Sequence, residues 1–178
     1  MRLFLAILLP EETLNRLVQG VCLLRRQGVR ASWCRRETYH LTLEFLGEAP
    51  DPAPVRAAME RVTARPFSLR FTDCGRFRGR GGDVFWLGVE PSEPLLSLRE
   101  HLRRELSEAG FTPERRPYRP HLTLARRLRH REPLGFPGPV PEPVAVGSFS
   151  LMHSELRREG AQYTELFRRE LREWDGDS

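Results

Sequence analysis

A chain of 178 residues that is 39% hydrophobic and 30% charged is long and apolar enough to bury a core, and too apolar to be disordered. Its net charge of +5 rests on 29 basic residues, every one an arginine. With no lysine, a lysyl-adenylate, a lysine Schiff base and a P-loop are excluded, whereas arginine suits bidentate contact with phosphate. Cys22, Cys34 and Cys74 are odd in number and lack the paired spacing of a zinc or redox motif, which points to free thiols in a reducing, cytoplasmic setting.

Met1-Arg2 followed by the apolar run Leu3–Leu9 imitates a short signal peptide. No small-residue cleavage site follows, however, and the run is far too short to cross a bilayer, so a buried first strand ending at Pro10 is expected and no membrane association. Pro10-Glu11-Glu12 suits a helix first turn, after which Leu14, Leu17, Val18, Val21 and Leu24 recur at helical spacing. An extended piece over Ala31–Cys34 leads to His40-Leu41-Thr42-Leu43, a strand running to Leu46 before Gly47. Asp51 caps and Pro52 starts a second helix with Val55, Ala58, Met59 and Val62 on its apolar side. Phe67, Leu69 and Phe71 alternate as one strand and Val84–Val89 forms another. They flank a loop, Gly75–Asp83, whose glycines and arginines are either a mobile connection or a candidate RNA contact. Leu95, Leu98, Leu102 and Leu106 stripe a third helix stopped by Gly110. The basic residues Arg115, Arg116 and Arg119, with Tyr118 among them, precede a second strand, His121-Leu122-Thr123-Leu124. Pro133–Pro143 reads as a stiff connection, Val144–Met152 and Ala161–Phe167 as two final strands, and Asp175–Ser178 as a fraying tail.

The tetrapeptide His-Leu-Thr-Leu thus occurs twice, letter for letter. Repetition alone says little, since Arg103–Leu106 recurs at Arg168–Leu171 with no evident meaning. Context adds the weight: both copies close the same succession of apolar strand, proline- and glutamate-started helix and His-Leu-Thr-Leu strand, over residues 3–47 and again over 84–126, as an internal duplication would. In an extended backbone His and Thr share one face and the two Leu the other. Imidazole gives or takes a proton near neutral pH, and a threonine hydroxyl donates to an anionic oxygen. If the two strands line one groove, the ring nitrogens lie roughly 5–8 Å apart on opposite sides of a single phosphorus. In-line displacement then needs one neutral His to take a proton from water and one protonated His to give a proton to the leaving oxygen. No cofactor is implied, and a zinc site is disfavoured because threonine, a poor zinc ligand, follows each His by two positions. A serine-hydrolase elbow, Gly-x-Ser-x-Gly, is absent. Two other readings stay open: a protein that only binds RNA, with the His/Thr pairs as a passive phosphate clamp, and a phosphodiesterase for a small cyclic nucleotide.

Tyr39–Gly47 and Arg119–Arg126 resemble the two signature motifs of the two-histidine phosphoesterase superfamily, most closely its bacterial and archaeal RNA 2′,3′-cyclic phosphodiesterases, formerly called 2′-5′ RNA ligases. The resemblance extends to Arg2–Ala6, Phe85–Val89 and Ser154-Glu155-Leu156 with Gly160 and Tyr163. It implies an α+β fold of two pseudo-symmetric, mainly antiparallel sheets with outer helices around a central cleft, residues 1–178 forming one bilobal catalytic domain. It also implies hydrolysis of an RNA 2′,3′-cyclic phosphate end, on tRNA fragments or nucleotides, to a 2′-phosphomonoester. His40 would be the proton donor to the departing 3′ oxygen and His121 the proton acceptor, with Thr42 and Thr123 on the phosphate. Run backwards, the same groups would join RNA ends through a 2′-5′ linkage. A monomer with no obligatory protein partner is expected, and Arg126, Arg119 and Tyr118 are candidates for RNA contact.

Members of this family often carry a basic residue where this chain has Glu44. Regular alternation puts that carboxylate on the His40 face, where it would repel phosphate. The same alternation puts Arg126 on the face opposite His121 unless a bulge re-aims it. His101 and His130 are expected to be solvated, and His153 sits at a strand end. Trp33, Phe85 and Trp86 are expected in the core rather than stacked on bases. The arginine pairs at 25–26, 35–36 and 115–116 mark either an RNA track or a solvent-facing surface.

Overall fold

A computed structural model describes residues 1–173; the tail expected to fray, Asp175–Ser178, lies outside the described residues. The first apolar run forms β1 (Arg2–Leu8), and Pro10 leads directly into α1 (Glu11–Arg26). β2 (Ser32–Trp33) and β3 (His40–Glu48) follow, then α2 (Ala53–Arg61), where the Asp51 carboxylate accepts a hydrogen bond from the Ala53 N–H at 2.9 Å. The chain continues through β4 (Phe67–Leu69), β5 (Phe71–Phe77) and β6 (Asp83–Val89) to α3 (Glu93–Glu108) and β7 (His121–Leu128). It ends with β8 (Val144–Val146), β9 (Ser148–Arg157) and β10 (Gly160–Glu170).

The fold is α+β. Two four-stranded antiparallel sheets run in the orders β10-β9-β1-β3 and β2-β7-β6-β5, beside a two-stranded β4-β8 ribbon. β1-α1-β3 and β6-α3-β7 make the same move, in which a strand leads into a helix and the next major strand returns antiparallel beside the first. The Leu-bearing faces of β1, β3, β6 and β7 share one core with the apolar stripes of α1 and α3, through residues such as Leu5, Leu17, Leu41, Phe85, Leu102 and Leu122. On the other face of the first sheet a second, smaller cluster forms from Phe4, Ala6 and Met152, with Tyr163 against it. Among the described residues no helix is long and apolar enough to cross a membrane.

Two expected strands are each cut in two because the chain changes partner within an apolar run. Phe67–Leu69 pairs with Val144–Val146, whereas Phe71 onward pairs with β6. Val144–Met152 breaks at Gly147 for the same reason, the residues after it joining β1 and β10. Period-two alternation reports which face a residue takes and carries no information about the neighbouring strand.

The expected loop Gly75–Asp83 is also shorter than its composition suggests: Gly75, Arg76 and Phe77 belong to β5 and Asp83 opens β6. The Asp83 carboxylate pins the turn, accepting from the Gly79 N–H at 3.2 Å and facing Arg78 at 3.2 Å and Arg76 at 3.4 Å. Arg76 further donates to the carbonyls of His130 and Glu132 at 2.6 and 2.9 Å, so its guanidinium is engaged within the protein rather than offered to RNA. The Pro133–Pro143 connection is a strap over α1, where Arg16 stacks 4.7 Å above the Phe136 ring and donates to the Pro137 carbonyl at 2.7 Å.

At the end of the turn, Gly82 has φ +113°, and a Cβ there would stand 2.7 Å from the Arg127 backbone. Gly82→Ala is therefore expected to destabilise the protein by about 2 kcal/mol or more, through a left-handed backbone and a contact that cannot yield. Urea denaturation of the two proteins checks this, and a loss within a few tenths of a kcal/mol would contradict it.

Candidate active site

Each His-Leu-Thr-Leu strand carries a surplus residue within the motif and a second register shift further along. In β3, Thr42 pairs with Ala6 and Glu44 with Leu5, leaving Leu43 unmatched. In β7, Thr123 pairs with Trp86 and Ala125 with Phe85, leaving Leu124 unmatched. A bulge at the same place in both motifs shifts the alternation by one residue from that point on. Each displaced carbonyl finds a donor outside the ladder: Leu43 O accepts from Arg99 Nε and Leu124 O from the Cys34 N–H, both at 2.9 Å.

The shift changes what faces the groove. Glu44 does not share the His40 face as regular alternation requires; the bulge turns it inward, where it is 2% exposed. Its carboxylate accepts from the Glu114 N–H at 3.0 Å and faces Arg99 at 3.3 Å and Arg103 at 3.5 Å. It therefore does not present its charge to a phosphate. The residue that rejoins the His/Thr side of β3 is Phe45, 59% exposed and 6.2 Å from the Phe4 ring. At the matching place in β7 stands Arg126, which the bulge re-aims toward the His121 side and which is exposed.

The two imidazoles are held alike. His40 Nδ1 donates to the Thr38 carbonyl at 2.8 Å and His121 Nδ1 to the Arg119 carbonyl at 2.6 Å, each two residues upstream. This backbone bond fixes the tautomer, leaving Nε2 as the acceptor. At His40 that acceptor takes a hydrogen bond from the Thr42 hydroxyl at 2.8 Å. The rings are wedged by aromatic neighbours. Phe4 and Tyr163 lie 4.9 and 5.4 Å from His40, and Phe77 and Trp86 lie 5.0 and 5.9 Å from His121. Trp86 is seated on Gly75, where a Cβ would stand 2.4 Å from its ring.

Burial pulls His40 down to about 4. The bond to Thr38 acts against this, and the nearby charges of His121 and Arg126 act with it. Burial likewise lowers His121, opposed by its bond to Arg119 O and assisted by the guanidinium groups of Arg126 and Arg119. Both rings are consequently neutral at pH 7 with no anion beside them. The Arg126 charge bears on both of them, so this guanidinium is near enough to influence each ring.

The remaining residues singled out in the sequence divide. Arg119 lies 4.9 Å over the Trp86 ring on the His121 side. Tyr118 has one face and its hydroxyl engaged: Arg99 stacks 4.0 Å from its ring and its O–H donates to the Thr42 carbonyl at 2.7 Å. It ties the second half of the chain to β3 rather than offering a surface to RNA. His101 is not solvated; it is half-buried, its ring accepting from the Thr63 N–H at 3.3 Å and facing Glu105 at 3.6 Å. His153 faces Glu155 at 3.5 Å. Phe85 is in the core, and Trp86, though only 6% exposed, reaches the site through His121. Cys22, Cys34 and Cys74 are free thiols. Among the described residues no group of three His, Cys, Asp or Glu side chains is placed to hold a metal ion. Phe4, Phe45 and Phe77 were not singled out beforehand, because only the bulges and the curl of the sheets bring them to the groove.

A family model described as the 2′-5′ RNA ligase superfamily matches residues 10–134. The chain belongs to that superfamily. Within it, the chain is 35% identical to the RNA 2′,3′-cyclic phosphodiesterase of Thermotoga maritima over 179 residues, covering 94% of each chain. It is 35% identical to the protein of the same name from Thermus thermophilus, covering 97% of this chain and 91% of the other. The apo crystal structure of E. coli LigT has the same fold, with a TM-score of 0.83 at 29% identity over 97% of this chain and 98% of that one.

The buried ion pair and the buried rings generate two predictions. Glu44→Ala strips Arg99 of its counter-ion and should cost about 3–5 kcal/mol, whereas Tyr118→Phe, which loses one hydrogen bond and keeps the ring, should cost about 1 kcal/mol. Chemical denaturation ranks the two, and the reverse order would contradict the buried pair. The unfolded chain protonates His40 near its ordinary 6.5 and the folded chain only near 4, so stability falls as pH drops through that window. His40→Gln should therefore retain about 1–2 kcal/mol more of its pH 8 stability at pH 5 than the parent. Equal losses in both proteins would mean that the ring is not desolvated.

Proposed function

We propose that the protein hydrolyses the 2′,3′-cyclic phosphate at an RNA end to a 2′-phosphomonoester by acid–base catalysis from two imidazoles, without a metal. The observation that carries this is the matched tautomer: two histidines from the two halves, each fixed through Nδ1 to a backbone carbonyl and each followed two residues on by a threonine, both under the charge of Arg126. The naming of the relatives supports the substrate class, and E. coli LigT has been crystallised with 3′-AMP.

In this reading the phosphate anion enters between the rings. Thr42 exchanges its hydrogen bond to His40 for one to a non-bridging oxygen, Thr123 donates to the phosphate from the other side, and Arg126 offsets the charge that builds in the transition state. His121 takes a proton from water; His40 gives one to the 3′ oxygen as the P–O3′ bond breaks, leaving the phosphate on the 2′ oxygen. His40 is neutral in the free protein, so its role requires a proton taken up with the anion, whose charge favours the imidazolium. Reversal of the same steps would join ends through a 2′-5′ bond. We further infer that residues 1–178 act as one bilobal unit, a cytoplasmic monomer that needs no protein partner. The free thiols agree with a reducing compartment.

An RNA ending in a 2′,3′-cyclic phosphate should yield only the 2′-phosphate, with EDTA without effect. A 3′-phosphate product, or binding without turnover as a passive clamp would give, overturns the reading. His40→Ala and His121→Ala should each lower kcat by at least about 10²-fold with smaller effects on KM. Because both rings titrate below their ordinary range, kcat/KM should rise as pH falls from 8 before it turns over in acid. Calorimetry of 3′-AMP binding in buffers of different ionisation enthalpy should detect proton uptake near pH 6.5; none would remove His40 from the donor role.

A further inference from the structure

A cleft of about 550 Å³ lies between the segment carrying Arg35, Glu37 and Thr38 and the start of β10 with Gln162 and Tyr163, together with Arg157. The two walls are tied by Arg35, which donates to the Ala161 carbonyl at 2.6 Å, so the cleft is held in shape by the protein itself. It adjoins His40 through two of its lining residues: Thr38 supplies the carbonyl that holds His40 Nδ1, and Tyr163 meets His40 edge to face at 5.4 Å.

The chemistry of the proposed reaction says what belongs there, and the inference rests on that reading. In an in-line displacement the attacking water and the leaving oxygen lie on opposite sides of phosphorus. The acid sits on the leaving side, so the ribose, and with it the rest of the RNA, belongs on the side of His40. Only water is required on the side of His121. A chain that continues through its 5′ end must therefore depart from the groove past His40, where this cleft opens. Its volume lies in the range of small-molecule pockets and admits one nucleotide. Its lining fits one too. Arg35 and Arg157 are balanced by Glu37 and Glu159, so the cleft is not a sink for simple anions. It offers guanidinium donors for a phosphodiester together with carboxylate and amide groups for the edge of a base. The exposed Arg157 and Gln162 have donors to spare for a ligand.

We propose that this cleft holds the nucleotide immediately 5′ of the one bearing the cyclic phosphate, so that the protein selects RNA ends over mononucleotides. The test compares kcat/KM for adenosine 2′,3′-cyclic phosphate with that for the dinucleotide ApA carrying the same 3′-terminal cyclic phosphate. The wild type should prefer the dinucleotide by about 100-fold. The Arg157→Ala/Gln162→Ala double variant should lose about 10-fold or more of that preference, two polar contacts to the added nucleotide being removed. The ratio is internal to each protein, so a general loss of folded enzyme lowers both rates and leaves it unchanged. A wild-type ratio near one, or a ratio unaltered in the double variant and in Arg157→Ala alone, overturns the proposal while leaving the reaction intact. Turnover of neither substrate by the wild type overturns the reaction, and this assignment with it.

Discussion

One surplus residue inside each of the two His-Leu-Thr-Leu motifs decides which way the residues just after it point. Had β3 and β7 kept a regular pleat, Glu44 would stand beside His40 and Arg126 would be turned away from His121. The bulges at Leu43 and Leu124 reverse both outcomes at once. A bulge persists only where its unpaired groups are satisfied. Here the donors come from elsewhere in the chain: Arg99 on α3 holds Leu43 O, and Cys34, just beyond β2, holds Leu124 O. Each half thus depends on the other for the irregularity that makes its own side chains useful.

The same exchange explains how the halves are fastened. β2 comes from the first part of the chain yet extends the second sheet by pairing with Ala125 and Arg126. In return α3 and the Glu114–Tyr118 segment close on β3, where Glu44, Arg99 and Tyr118 form a buried knot. Burying an ion pair is a weak source of net stability, but breaking one is costly, so such a knot resists sliding more than it adds strength. Tyr118 stands three residues before His121 and bonds the Thr42 carbonyl, so the linkage between the two motifs is short.

Most of the architecture was legible because it rests on periodicities the chain displays openly. The stripes Leu14–Leu24 and Leu95–Leu106, the proline starts and the Gly110 stop mark helices, and the paired His-Leu-Thr-Leu runs mark strands with one reactive and one packed face. The departures come from information that alternation lacks. Partner exchange at Arg70 and Gly147 depends on a ribbon joining residues far apart in sequence. The bulges depend on acceptors, at Leu43 and Leu124, that only the folded chain supplies with donors. Tyr118 reads as a candidate RNA contact because its neighbours in sequence are arginines; its partner in space, Arg99, is a helix residue whose burial nothing nearby foretells. Phe45 lies inside the Tyr39–Gly47 motif, yet alternation cannot tell its face, which is set by the bulge before it.

Phe45 and Arg126 occupy matching places in the two halves, downstream of matching bulges, and they could hardly differ more. Around them the two motifs are built alike, each with a bulge, a threonine two residues after the histidine and a carbonyl anchor two residues before it. A frame of that kind has no inherent front or back. A guanidinium at the matching place on one side and an exposed phenyl ring on the other supply one, so the two ends of the frame are not interchangeable.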